Sequence, residues 1–285
     1  RQRGGVAGMN RWVRAPAVAG TFYPRNPAVL ERQVRELLEQ VRTTSVVGKV
    51  VALISPHAGY MYSGPVAANS YYQLALDGRV DVFVILGPNH YGVGSGLAIM
   101  DSGIWRTPLG DVEVDAELAK KIVHESGLID IDESAHRYEH SIEVQIPFLQ
   151  YLRKDIKIIP VVLSGYVDNP AWVEIGETIA EVIKESGKDI LIVASSDMTH
   201  YESQRQAEDK DHYAIEAILS LDEDELIKRI SERDISMCGY GPVIVAMVAS
   251  KNLGAKRGHL IKYATSGDIS GDYNQVVGYA GIIIK

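Results

Sequence analysis

A three-layer α/β architecture, with helices on both faces of a central, mostly parallel mixed sheet, is the fold class this sequence predicts. Three observations carry the prediction. Short β-branched apolar runs alternate along the chain with segments of helical periodicity. Most of those runs are near-continuous, as strands buried on both faces require. No internal repeat, low-complexity tract or long Pro/Gly/Ser linker interrupts them. Alternation of this kind builds parallel sheets, because each crossover between parallel strands lays a helix on a sheet face.

Taken in order, strands are expected at Val50–Ser55, Asp81–Gly87, Leu97–Asp101, Lys157–Leu163, Asp189–Ser196 and Val276–Ile284, apolar stretches of strand length that, apart from Leu97–Asp101, are rich in valine and isoleucine. Leu97–Trp105, carrying Gly103, reads as a β-excursion at an edge. Helices are expected at Pro27–Val41, Gly64–Leu76, Asp115–Ser126, Ile142–Arg153, Ala171–Glu185, Arg205–Leu219, Glu223–Glu232 and Gly241–Lys251, where apolar residues recur at helical spacing. Pro147 either kinks the fourth of these or marks a first turn. Residues 9–285 are expected to form one domain. Residues 1–8, glycine-rich and basic without an apolar core segment, read as a tag remnant or mobile leader.

Composition narrows the function. A net charge of −8 and a pI near 5.5 argue against a nucleic-acid partner, which needs a surplus of Lys and Arg on one face. No apolar run approaches the roughly 20 residues that cross a bilayer, so no membrane partner is expected. A single cysteine, Cys238, excludes an internal disulfide framework and fits a reducing, cytoplasmic compartment.

In open parallel sheets ligands gather beyond the carboxyl ends of the strands, and the chemistry-bearing residues fall there. His57 follows the first strand in Pro56-His57-Ala58-Gly59-Tyr60, and His90 follows the second in Gly87-Pro88-Asn89-His90. The two imidazoles are neighbours if their strands are adjacent. Asp197 and His200 follow a later strand in Ser195-Ser196-Asp197-Met198-Thr199-His200, as acid, base or ligand-orienting groups. Glu139-His140-Ser141-Ile142-Glu143 opens a helix that could face the same cleft, adding His140 to the candidate catalytic groups. Cys238 precedes an apolar helix, and a thiol near a helix N-terminus tends toward the thiolate.

Two imidazoles, His57 and His90, with one thiolate or carboxylate would hold a divalent metal, iron, copper or zinc; a carboxylate as third ligand points toward non-heme Fe(II), whereas the thiolate of Cys238, the ambiguous member, favours zinc or Cu(I). A lone histidine after a strand is more often a hydrogen-bonded turn residue, and a lone cysteine more often a small buried hydrophobe. Three strand ends together raise the ligand reading. Ser195 and Ser196 would cap a helix in the plain reading. His124, His136, His212 and His259 read as surface or structural, and Glu202–His212 as a solvated helix face. No GxSxG, Walker A, GxGxxG or HExxH pattern occurs. The nearest rival is a hydrolase using Ser195 or Ser196 with a His/Asp pair.

The ordered set Pro56-His57-Ala58-Gly59-Tyr60, Leu86-Gly87-Pro88-Asn89-His90, Glu139-His140-Ser141-Ile142-Glu143, Ser195-Ser196-Asp197-Met198-Thr199-His200 and Cys238-Gly239 resembles the Memo family, called AmmeMemoRadiSam system protein B in prokaryotes. The segment Arg14 to Pro24 and Gly267-Asp268 extend the resemblance over almost the whole chain. The resemblance implies a fold like the catalytic subunit of class III extradiol ring-cleaving dioxygenases, which are non-heme Fe(II) enzymes. His57 and His90 then correspond to the two histidine ligands, and Cys238 lies where those enzymes place a carboxylate. Asp197 and His200 match further cleft residues. The expected function is a metal-dependent oxidoreductase. The alternatives are a metal-sequestering protein and a non-catalytic cleft, lined by Tyr60, Tyr91, Tyr201 and Tyr240, that holds a small molecule or a peptide.

Overall fold

The computed structural model describes residues 12–46, 48–76 and 80–285, so the leader expected at residues 1–8 lies outside the described residues. In chain order the elements begin with β1 (Val13–Arg14), α1 (Pro27–Glu39), β2 (Ala52–Ser55), α2 (Tyr60–Ala75), β3 (Val82–Gly87), β4 (Leu97–Ile99), β5 (Ile104–Thr107) and β6 (Gly110–Val114). The middle of the chain supplies α3 (Ala116–Ser126), β7 (Asp130–Ile131), α4 (His140–Glu143), α5 (Ile146–Leu152), β8 (Lys157–Leu163), α6 (Ala171–Ser186) and β9 (Ile190–Ser195). The remainder is β10 (His200–Glu202), α7 (Gln204–Leu219), α8 (Glu223–Arg233), α9 (Tyr240–Asn252), β11 (Gly258–Thr265), α10 (Gly267–Ser270) and β12 (Val276–Ile284).

The strands join in one sheet, ordered β1-β5-β6-β8-β3-β9-β2-β12-β10, with β11 on β12, β4 on β8 and β7 on β4. From β6 through β8, β3 and β9 to β2 every pairing is parallel, and β12 closes antiparallel against β2. Strands β2, β3 and β9 are buried along their whole length, as their continuous apolar runs require. Two glycines on β12 locate the outer layers. A Cβ at Gly281 would meet Ser70 and Val66 of α2, whereas one at Gly278 would meet Asp211 of α7. Three residues apart on a strand means opposite faces, so α2 and α7 lie on opposite sides of the sheet. Helix α9, buried along Gly241–Ser250, is apolar all round because it is wedged between the sheet and α6 and α8.

Each expected strand and helix has its counterpart, with shifted ends and some additions. The expected Ile142–Arg153 helix is two helices, α4 and α5, with Pro147 in the first turn of α5, where its missing N–H costs nothing. The edge excursion is a fuller hairpin of β5 and β6. Strand β11 has no counterpart in the sequence reading, since a bulge between Leu260 and Lys262 breaks its alternation. The Glu202–His212 stretch is not wholly solvated. Asp211 is fully buried and accepts from Thr199 N, Thr199 Oγ1 and Tyr263 Oη. His136, read as surface or structural, is fully buried.

Candidate metal centre

Three neighbouring strands aim their carboxyl ends at one place. Parallel pairing sets Ser55 level with Ser195 and Leu86 level with Ala194, so the chain leaves β2, β9 and β3 side by side. His57 emerges two residues past β2, Asp197 two past β9 and His90 three past β3. The strands bearing His57 and His90 are not adjacent, because β9 lies between them, and the two rings meet across its end with centroids 4.9 Å apart. Cys238 arrives from the far side, just before α9. Gly239 permits this approach, since a Cβ there would sit 2.4 Å from Ser195 O and 2.6 Å from Ser196 Cβ.

His57, His90 and Cys238 each bring one ligand atom within 4.8 Å of the other two, and Asp197, His200 and Cys238 do likewise. His90, Glu139 and His140 form a third such group. The sulfur lies 3.2 Å from His57 Nε2. Donors held at ordinary metal–nitrogen and metal–sulfur lengths around a tetrahedral ion stand about 3.5 Å apart, so this pair fits a metal with little movement. The donor chemistry fits as well, with two imidazoles and a soft sulfur presented together.

Each ring is held from behind. The His90 Nδ1 lies 2.9 Å and 3.0 Å from the two carboxylate oxygens of Glu139, and the His90 backbone N–H donates to the same side chain. Glu139 is the N-cap of α4, accepting from Ser141 N at 2.7 Å. Burial pushes its carboxyl up, but the His90 hydrogen bond and the neighbouring His90 and His140 charges prevail and hold it down to about 2. With Nδ1 committed to a carboxylate, His90 keeps Nε2 for the cleft. His200 Nδ1 faces Ser236 O at 2.8 Å, which likewise turns its Nε2 toward the cleft. His140 stacks on His90 at 4.6 Å, packs against Phe22 and lies 3.3 Å by Nδ1 from the hydroxyl of Tyr91.

Burial disfavours the charged form of two of the cleft imidazoles, His57 and His140. Burial, then the neighbouring His90, lowers the pKa of His57 well below the ordinary histidine range. Burial, then His57, lowers that of His140 to about 4. Burial raises that of Asp197, opposed by the His57 N–H that donates to Oδ1 at 2.8 Å. The expectation that Cys238 tends toward the thiolate is overturned for the free protein: burial, then the charge of Asp197, drives the thiol upward. The short sequence distance to α9 signals a favourable dipole, but desolvation outweighs it.

All six candidate residues, His57, His90, Cys238, Asp197, His200 and His140, therefore converge on one cleft. The serine rival does not fit. Ser195 is fully buried and donates to Ser141 O at 2.6 Å, while Ser196 accepts from Gly239 N, so neither caps a helix and neither hydroxyl is free. Of the four cleft tyrosines, Tyr60 donates to Val144 O and Tyr240 to Gly165 O, which leaves only Tyr91 and Tyr201 with largely exposed rings. Sequence reasoning missed Phe22 and Gln145. Phe22 lies in the Arg14 to Pro24 segment and Gln145 two residues beyond Glu143, but neither residue type announces a metal site.

An α/β sheet protein with a histidine- and cysteine-lined cleft, positioned at its strand ends to hold a metal ion, is the class these features define. The chain belongs to the Memo-like protein family, whose model matches residues 14–283. A MEMO1 family protein of Methanothermobacter thermautotrophicus is 47% identical over 274 residues, covering 94% of this chain and 99% of the relative. One from Methanocaldococcus jannaschii is 46% identical over 292 residues, covering 97% and 100%. Among solved structures, an uncharacterized protein of Escherichia coli shares the fold at 15% identity and a TM-score of 0.52, over 82% of this chain and 100% of that one. Among the described residues no helix is long and apolar enough to cross a membrane.

Proposed function

We propose that this chain is a metal-dependent redox protein that holds one iron or copper ion on His57, His90 and Cys238. The observation that carries the reading is the convergence of these three donors from β2, β3 and the α9 entry to within 4.8 Å, with His57 Nε2 and the Cys238 sulfur at 3.2 Å. Such an ion would supply Lewis acidity and a one-electron couple, and a mixed nitrogen–sulfur shell favours copper or iron over the hard, oxygen-seeking cations. The chain's own residues would do the rest. Glu139 holds the His90 ring in orientation. Asp197, whose Oδ2 lies 3.7 Å from His57 Nε2, and His200 share the cleft with Cys238 and stand ready to exchange protons with a bound ligand, and His140 closes the wall beside His90.

The test is anaerobic reconstitution with Fe(II), Cu(I) and Cu(II), comparing the parent with His57→Ala, His90→Ala and Cys238→Ser. Each variant should bind its ion at least 100-fold more weakly. Equal micromolar binding in all four overturns the assignment. Oxygen consumption by the loaded protein then separates a redox enzyme from a protein that merely sequesters its metal: consumption supports the proposal, and tight binding without it favours sequestration.

A further inference from the structure

Behind His57 lies a buried chain of polar groups that the metal reading leaves unused. His57 Nδ1 is 2.8 Å from Ser195 Oγ. Ser195 Oγ also lies 2.6 Å from Ser141 O and 2.9 Å from Gln145 Nε2. Gln145 in turn approaches Pro56 O by Nε2 at 3.0 Å and accepts from the Tyr71 hydroxyl by Oε1 at 2.6 Å. Ser195, Ser141, Gln145, Tyr71 and His57 are all buried, so water cannot substitute for a wrong partner.

The proton positions follow by elimination. Gln145 must point its amide nitrogen at Pro56 O, because the flipped amide would set two acceptors against each other. That nitrogen has a second hydrogen, which goes to Ser195 Oγ at 2.9 Å rather than to Ser55 O, the more distant acceptor at 3.4 Å. A backbone carbonyl only accepts, so the single Ser195 hydroxyl hydrogen belongs to Ser141 O. One Ser195 lone pair then remains, facing His57 Nδ1, and that nitrogen must carry a hydrogen. We infer that Ser195 and Gln145 are positioning residues that lock neutral His57 in its Nδ1–H form, so that the bare Nε2 faces the cleft and the sulfur of Cys238. The lock matters because a free neutral histidine favours the proton on Nε2, the form in which the cleft-facing nitrogen has no lone pair to give. The inference rests on the metal reading only for its consequence; the tautomer itself is a property of the metal-free protein.

The experiment is nitrogen-15 NMR on metal-free protein with labelled histidine, with the His57 signals identified by their loss in His57→Ala. In the parent, His57 Nδ1 should be of the protonated, pyrrole type and Nε2 of the bare, pyridine type. The opposite pattern, or an averaged one, overturns the inference without any further variant. In Ser195→Ala the ring should lose this preference and Fe(II) or Cu(I) affinity should fall about 10- to 100-fold, the usual cost of removing a group that orients a ligand. A pure Nδ1–H ring in that variant also overturns it. Should the parent show the Nδ1–H form yet bind neither ion, the lock stands and the metal assignment fails; should it bind metal with the other tautomer, the reverse holds.

Discussion

The Cys238 sulfur and His57 Nε2 face each other at 3.2 Å, with a thiol whose pKa is raised by burial set against a ring whose pKa is lowered by it. The free protein therefore keeps one proton on sulfur, while the form that ligates a metal is the thiolate. Metal binding should expel about one proton, and affinity should rise up to about tenfold per pH unit while pH stays below the thiol pKa. Calorimetric titration in two buffers of different ionisation enthalpy counts the proton. A count near zero excludes thiolate ligation, and in Cys238→Ser the release should disappear.

Glu139 grips His90 through both its backbone N–H and its Nδ1. Glu139→Gln keeps the size but offers the ring an amide hydrogen in one orientation and a weaker acceptor in the other. Metal affinity should fall about 10- to 100-fold. Circular dichroism should show the fold retained, because the N-cap contact to Ser141 N survives on the amide oxygen. Unchanged affinity would remove Glu139 from the site.

How far this cleft was legible in the sequence depends on distance along the chain. His57, His90 and Asp197 announce themselves, because each follows a buried strand within three residues and parallel strands bring such positions together. The order of the strands is another matter. Nothing local in Val82–Gly87 or Ala52–Ser55 says that β9 inserts between them, since that order depends on which helices cross which face. In sequence Ser195 reads as a helix cap because its neighbours are serine and aspartate, and only the partners His57, Ser141 and Gln145 reveal its use. The protonation of Cys238 is hidden for the same reason: a helix start is visible in sequence, whereas desolvation by other segments is not.

Arg14 and Glu143 form an ion pair at 2.6 Å with both side chains essentially inaccessible to water. Arg14 also donates to His136 O and Glu139 O, and Glu143 accepts from Ala17 N, Val18 N and the Tyr23 hydroxyl. The pair thus ties the chain between β1 and α1 to the helix start that carries Glu139 and His140. Arg14→Met should cost about 3 to 5 kcal/mol, because it strands a buried carboxylate. Urea denaturation measures this, and a loss below about 1 kcal/mol would show that water reaches Glu143.

His136 supplies a pH dependence of stability outside the metal ligands. Its Nε2 donates to Ala98 O at 3.1 Å, its Nδ1 is buried without a partner, and Trp105 packs edge-on against the ring. Burial, then the charge of Arg14, lowers its pKa from the ordinary 6.5 to about 4. Between those two values the unfolded chain binds the proton and the folded chain refuses it. Stability from this group is therefore complete above about pH 6.5, declines as pH falls toward 4, and changes no further below that. The full difference is about 3 kcal/mol. His136→Gln keeps a donor for Ala98 O but has nothing to titrate. Between pH 7.5 and pH 4.5 the difference in unfolding free energy should move about 2 to 3 kcal/mol in the variant's favour, read from urea melts of both proteins at each pH. Parallel curves for parent and variant would mean that His136 is protonated in the fold as readily as outside it, and the buried, unpartnered Nδ1 would then have to be in contact with water.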